Sequence, residues 1–128
     1  MISLSFISAL KLRLAEPAPR IQVILGPRQI GKTTAIHQLL SDPMNPWPSH
    51  YASADAIFRG DWAWIETQWR NAESKGNGSL LVLDEIQKIE LWSEYIKKLW
   101  DESIQTSRRL RVVLLGSSSL DLQKRSCR

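Results

Sequence analysis

The sequence predicts an α/β fold, a parallel sheet with helices on both faces, and three observations lead there. Short apolar runs, Ile21–Leu25, Leu80–Leu83 and Arg111–Leu115, read as strands, with a weaker candidate at Tyr51–Asp55. Between them lie amphipathic segments with helical spacing, so strands alternate with helices, the pattern of a parallel sheet. The first run also leads directly into a glycine-bounded turn, GPRQIGKTT at Gly26–Thr34, which opens a helix.

Taken in order, residues 3–15 form a first helix with Leu4, Ile7, Leu10 and Leu14 on its apolar side, ended by Pro17 and Pro19. Strand one follows, then the glycine turn and a helix from about Lys32 with Ile36, Leu39 and Leu40 on one face. Ser41-Asp42-Pro43 closes it. The next helix runs from the N-cap Asp61 to about Ser74, with Trp62, Ile65 and Trp69 on one side, and Gly76-Asn77-Gly78 stops it. A last helix, about Leu91–Ser103, carries Trp92, Ile96, Leu99 and Trp100 as its stripe and pairs Glu94 with Lys98 at i, i+4. Six tryptophans at such spacing read as core. Neither His37 nor His50 has a partner at metal-ligand spacing.

With 128 residues, 43% hydrophobic and 23% charged, the chain is expected to form one domain: a helix over 3–15, a core over 20–119 and a basic tail over 120–128. No apolar run approaches the ~20 residues of a membrane span. The start, MISLSFISALKLRL, lacks a basic region ahead of its apolar part and reads as a helix rather than a signal peptide. Cys127 is the one cysteine, which excludes an intrachain disulfide and makes a cytoplasmic location the expectation. The net charge of +4 is concentrated at the end, where Arg108, Arg109, Arg111, Lys124, Arg125 and Arg128 face only Asp121. Such an end fits nucleic-acid contact, and fits equally a solvated helix end with a disordered terminus.

The chemistry starts at Gly26–Thr34, which matches the phosphate-binding pattern G-x-x-x-x-G-K-[ST] with Gly26, Gly31, Lys32 and Thr33 in the required places. A polyphosphate needs many donors aimed at one point, and a loop with little side-chain bulk lets backbone N–H groups curl round it. The cradle comprises Gly26, Pro27, Arg28, Gln29, Ile30, Gly31, Lys32, Thr33 and Thr34. The helix that follows contributes unpaired N–H groups and the positive end of its dipole. Lys32 reaches the β- and γ-phosphates, and the Thr33 hydroxyl ligates Mg²⁺. ATP is the expected nucleotide; GTP stays an alternative, though no guanine-reading Asn-Lys-x-Asp motif is present.

Leu80–Leu83 ends in Asp84-Glu85, an apolar strand with two carboxylates at its tip. Asp84 is placed to hold Mg²⁺ through its water shell. Glu85 is placed to orient the attacking water. The next strand ends in Gly116-Ser117-Ser118-Ser119. Ser117 is the candidate polar contact to the γ-phosphate and Ser118 the alternative; taken alone, the serines are equally a plain turn.

Together, GPRQIGKTT, LDEIQ (Leu83–Gln87) and GSSS (Gly116–Ser119) resemble the AAA-type P-loop ATPases, and within them a small prokaryotic ATP-binding group. The resemblance covers about residues 15–120. It implies a sheet in the order 1-4-3-2 and Mg²⁺-dependent ATP binding and hydrolysis coupled to a conformational change. It also implies a protein partner or C-terminal domain of undefined role. Nucleotide-gated interaction with little turnover, and a nucleic-acid-associated ATPase fragment, are the alternatives. In the family a fifth strand beside strand one, a helical lid and arginine positions follow the serines. Here the sequence stops at Arg128, so the expectation is a truncated core, with strand one at a sheet edge and turnover in doubt.

Overall fold

Four parallel strands form the centre of the chain in a computed structural model that describes residues 4–16, 20–26, 32–56 and 61–117. The elements run α1 (Leu4–Leu14), β1 (Gln22–Gly26), α2 (Lys32–Ser41), β2 (Ser49–Ser53), α3 (Trp62–Glu73), β3 (Leu80–Asp84), α4 (Trp92–Thr106) and β4 (Arg111–Ser117). The sheet order is β1-β4-β3-β2, as the sequence implies, and every pairing is parallel.

Strand alternation divides the core in two. Leu80 and Val82 of β3, with Val113 and Leu115 of β4, pack on Leu10 and Leu14 of α1 and Ile36 and Leu39 of α2. Their neighbours Leu81, Leu83, Val112 and Leu114 pack on Ile65 and Trp69 of α3 and Ile96 and Leu99 of α4. β3 and β4 therefore sit between two helical layers, which explains why they read as unbroken apolar runs. All six tryptophans pack against one core or the other.

β1 lies at the edge of the described sheet, and its two faces are covered unequally. Ile24 packs into the α1/α2 core, while Val23 and Leu25 on the other face are 48% and 41% exposed.

Three elements differ from the sequence expectation; one is β4, which runs on to Ser117 rather than ending at Leu115 because Gly116 and Ser117 pair with Leu25 and Gly26. The second strand is Ser49–Ser53 rather than Tyr51–Asp55. Its start is fixed by pairing, Ser49 with Leu80 through Ser53 with Asp84, and residues 54–56 turn into a short 3-10 helix. α4 extends to Thr106, three residues past the expected end. Ser103 continues its buried stripe, and the chain leaves the helix only at Ser107, which adopts a left-handed conformation. Lys98, expected to pair with Glu94, instead holds its ammonium 5.0 Å from the centre of the Trp62 ring.

Candidate nucleotide site at the strand tips

The parallel arrangement carries the ends of β1, β3 and β4, and the start of α2, to the same side of the sheet. Register sets Gly26 opposite Ser117, and Ser53 opposite Asp84. Lys32 opens α2, Thr33 follows in its first turn, and Thr34 beside it is exposed. The cradle residues Pro27, Arg28, Gln29, Ile30 and Gly31 lie outside the described residues, as do Ser118, Ser119 and the tail from residue 120.

Asp84 and Glu85 are 4% and 6% exposed. A carboxylate withdrawn that far from water needs donors to offset its lost hydration. Asp84 has three. Its Oδ2 accepts the Thr33 hydroxyl at 3.0 Å and the Tyr51 hydroxyl at 2.6 Å, and its Oδ1 accepts the Glu85 N–H at 2.8 Å. Burial, then the bond to Asp84, pushes the Tyr51 hydroxyl well above the ordinary tyrosine range, which keeps it a donor.

Glu85 adopts a left-handed backbone conformation, φ 54° and ψ 39°, uncommon for a residue with a Cβ. It follows the last residue of β3 and breaks the strand there. The Ser117 hydroxyl at the tip of β4 donates to Glu85 Oε1 at 2.7 Å. The Ser117 N–H in turn donates to Gln87 Oε1 at 3.3 Å.

Thr33, Tyr51, Ser53, Asp55, Asp84, Glu85 and Ser117 line one cavity of about 270 Å³. Every side-chain donor or acceptor in that set is an oxygen, the ligand type that hard cations such as Mg²⁺ take. No group of three or more His, Cys, Asp or Glu suited to a metal occurs among the described residues. One carboxylate with one hydroxyl suits an ion that keeps its waters and takes its remaining ligands from phosphates. Asp55 also forms an ion pair with Lys88, tying the turn after β2 to the turn after β3. A larger hollow, about 450 Å³, lies where α3 and α4 end, among Arg70, Asn77 and Arg109. Helix carboxyl ends disfavour an anion there.

The sequence reading named Thr33, Asp84, Glu85 and Ser117 as candidates, and the fold sets all four on one cavity. It missed Tyr51, Gln87, Ser53 and Asp55. Gln87 lies within the LDEIQ run but carried no role there. Tyr51 has no local signal; only the pairing of β2 with β3 sets it on the face where α2 runs. The histidines take structural partners: the His37 ring lies 4.4 Å from the Tyr51 ring, and His50 Nε2 is 2.7 Å from Gln68 Oε1. Arg111, counted in the basic end, points inward. Its Nε donates to the Leu14 carbonyl at 2.5 Å, its guanidinium also bonds the Gly78 carbonyl, and the group sits 5.1 Å from the Trp47 ring. Burial lowers its pKa.

A family model described as AAA domain matches residues 18–127, most of the chain. The chain belongs to this AAA domain family. It is accordingly an AAA-type P-loop domain, nucleotide-binding and of the ATPase type. Among solved structures, it is similar to the Thermotoga maritima RuvB Holliday junction branch migration motor, with a TM-score of 0.54 and 21% identity. That likeness covers 97% of this chain and 43% of the RuvB chain, and it bears on the fold of the AAA domain. No curated protein matches. Among the described residues, no helix is long and apolar enough to cross a membrane.

Proposed function

We propose that this AAA domain binds Mg²⁺-ATP at the ends of β1, β3 and β4, hydrolyses it, and couples the reaction to a conformational change. The observation that carries the reading is the pair of hydroxyl–carboxylate contacts, Thr33 to Asp84 at 3.0 Å and Ser117 to Glu85 at 2.7 Å. These contacts bring together three parts of the sequence, the start of α2 that follows the glycine turn and the ends of β3 and β4. When bound, Mg²⁺ supplies positive charge to the β- and γ-phosphate oxygens. Asp84 and Thr33 would hold it, and their all-oxygen surroundings fit it. Lys32 contributes a second positive charge at the same oxygens.

Glu85 orients the attacking water, and its grip by Ser117 suggests how chemistry and shape are linked. A serine hydroxyl has one hydrogen to donate. Ser117 cannot give it both to Glu85 and to a γ-phosphate oxygen. Transfer of that hydrogen bond to the nucleotide would release the Ser117 contact on Glu85 and shift the tip of β4 relative to β3. A protein partner or further domain reading that shift is part of the proposal, as is a cytoplasmic setting, consistent with the lone Cys127.

The Ser117–Glu85 bond also favours a second reading, a nucleotide-gated interaction module with little turnover, because it keeps the carboxylate occupied. Phosphate release by the wild type and by Glu85→Gln separates the two. The ATPase reading expects measurable release in the wild type, and retained ATP binding with release lowered at least ~10²-fold, the scale of general base contributions, in the variant. Binding without release in both supports the module. The nucleic-acid alternative keeps five of the six basic residues of the chain end, since Arg111 is committed to the fold; it would show as a steep salt dependence of DNA or RNA binding.

A further inference from the structure

We propose that Tyr51, braced by His37, is a positioning residue that sets how strongly Asp84 engages Mg²⁺. The proposal rests on the Mg²⁺-ATP reading above and adds two residues to it.

The geometry forms a closed loop. Thr33 and His37 are one turn apart on α2 and therefore on one face of it. The Thr33 hydroxyl bonds Asp84 Oδ2 directly. The His37 ring packs on the Tyr51 ring at 4.4 Å with a 52° tilt, and the Tyr51 hydroxyl bonds the same Oδ2 at 2.6 Å. That distance falls in the range of a hydroxyl donating to an ionised carboxylate, about 2.5–2.7 Å. Thr33 and Tyr51 therefore use both lone pairs of Oδ2, and the Glu85 N–H takes one on Oδ1.

Two consequences follow. The carboxylate is locked in one orientation before any nucleotide arrives, with the remaining acceptor position of Oδ1 left to face the metal or its water. Its charge is also stabilised inside a surface that exposes only 4% of the residue. Hydrogen-bonded partners of metal ligands typically contribute ~10–100-fold to metal affinity, because they fix the ligand and tune its basicity. Tyr51 has the right atom at the right distance for that role. His37 explains why the ring stays in place, since β2 is an edge strand and Tyr51 is only half-buried.

The test compares wild type, Tyr51→Phe and His37→Ala, measuring ATP affinity by calorimetry across a Mg²⁺ titration and in EDTA. Tyr51→Phe keeps the ring and loses only the hydroxyl. Its half-saturating Mg²⁺ should rise by about tenfold or more, while its ATP affinity in EDTA stays at the wild-type value. His37→Ala alters an exposed side chain and should shift the Mg²⁺ dependence the same way by less. Because Tyr51 acts through Asp84, the gain in ATP affinity conferred by Mg²⁺ should be equally small in Asp84→Asn and in Asp84→Asn/Tyr51→Phe. Without metal or nucleotide, Tyr51→Phe should also melt lower, as a buried carboxylate loses a donor.

A wild type whose ATP affinity ignores Mg²⁺ would overturn both this proposal and the function it rests on. A wild type that responds to Mg²⁺ while Tyr51→Phe and His37→Ala respond identically would overturn the positioning role alone. Equal losses in EDTA and in Mg²⁺ would do the same, by showing a general disturbance of the site.

Discussion

A Cβ at Gly116 would stand 2.7 Å from Leu25 Cδ2 and 2.8 Å from Gln87 Oε1, so a larger residue here must push the ends of both side chains aside. The glycine lets Gln87 lie against β4 and accept the Ser117 N–H. Gly116→Ala is expected to displace Gln87, loosen Ser117 and cost about 1 kcal/mol, the low end of the overpacking range because both displaced atoms end flexible side chains, measured by chemical denaturation. An unchanged midpoint would show that Gln87 and Leu25 yield freely. At this scale the legible residues were those whose role is written locally: Thr33 inside a glycine-bounded motif, Asp84 and Glu85 ending an apolar run, Ser117 after a strand. Tyr51 was not legible, because its role is a contact with Asp84 across 33 positions and its own strand is polar.

At the scale of elements, α3 shows a rule and a structure in agreement. Asp61 accepts from the N–H groups of Ala63 and Trp64 at 3.1 and 3.3 Å, as an N-cap should. Asp61→Ala is expected to cost about 1 kcal/mol in denaturation while leaving nucleotide affinity alone, since Asp61 is not among the residues that line the cavity at the strand tips. A loss of ATP affinity in that variant would reveal a coupling between α3 and the site. β3 and β4 were legible because both faces are covered and their runs are unbroken. β2 was placed two residues late, because SHYAS carries no apolar alternation and its limits come from hydrogen bonding to β3. α4 was ended three residues early because Ile104, Gln105 and Thr106 are exposed and add nothing to its buried stripe, which closes at Ser103.

For the whole molecule, the order β1-β4-β3-β2 is what turns scattered motifs into a site. Setting β4 between β1 and β3 brings Ser117 beside Gly26 on one side and within reach of Glu85 on the other. That order followed from resemblance, since alternation of strands and helices alone leaves several orders open. The same topology leaves β1 at the edge with Val23 and Leu25 partly exposed, and divides the core into an α1/α2 layer and an α3/α4 layer. The proposed ligand of this assembly is Mg²⁺-ATP, held through the turn that ends at Lys32 and Thr33. The most direct test is the melting of wild type and Lys32→Ala with and without Mg²⁺-ATP. Lys32→Ala removes one charge at the phosphates and is expected to leave the unliganded melting temperature in place. At about a hundredfold excess over Kd, ligand should stabilise the wild type by roughly 2.7 kcal/mol. That stabilisation should be largely absent from Lys32→Ala at the same ligand concentration, whereas an equal shift in both proteins would remove Lys32 and its turn from the nucleotide site.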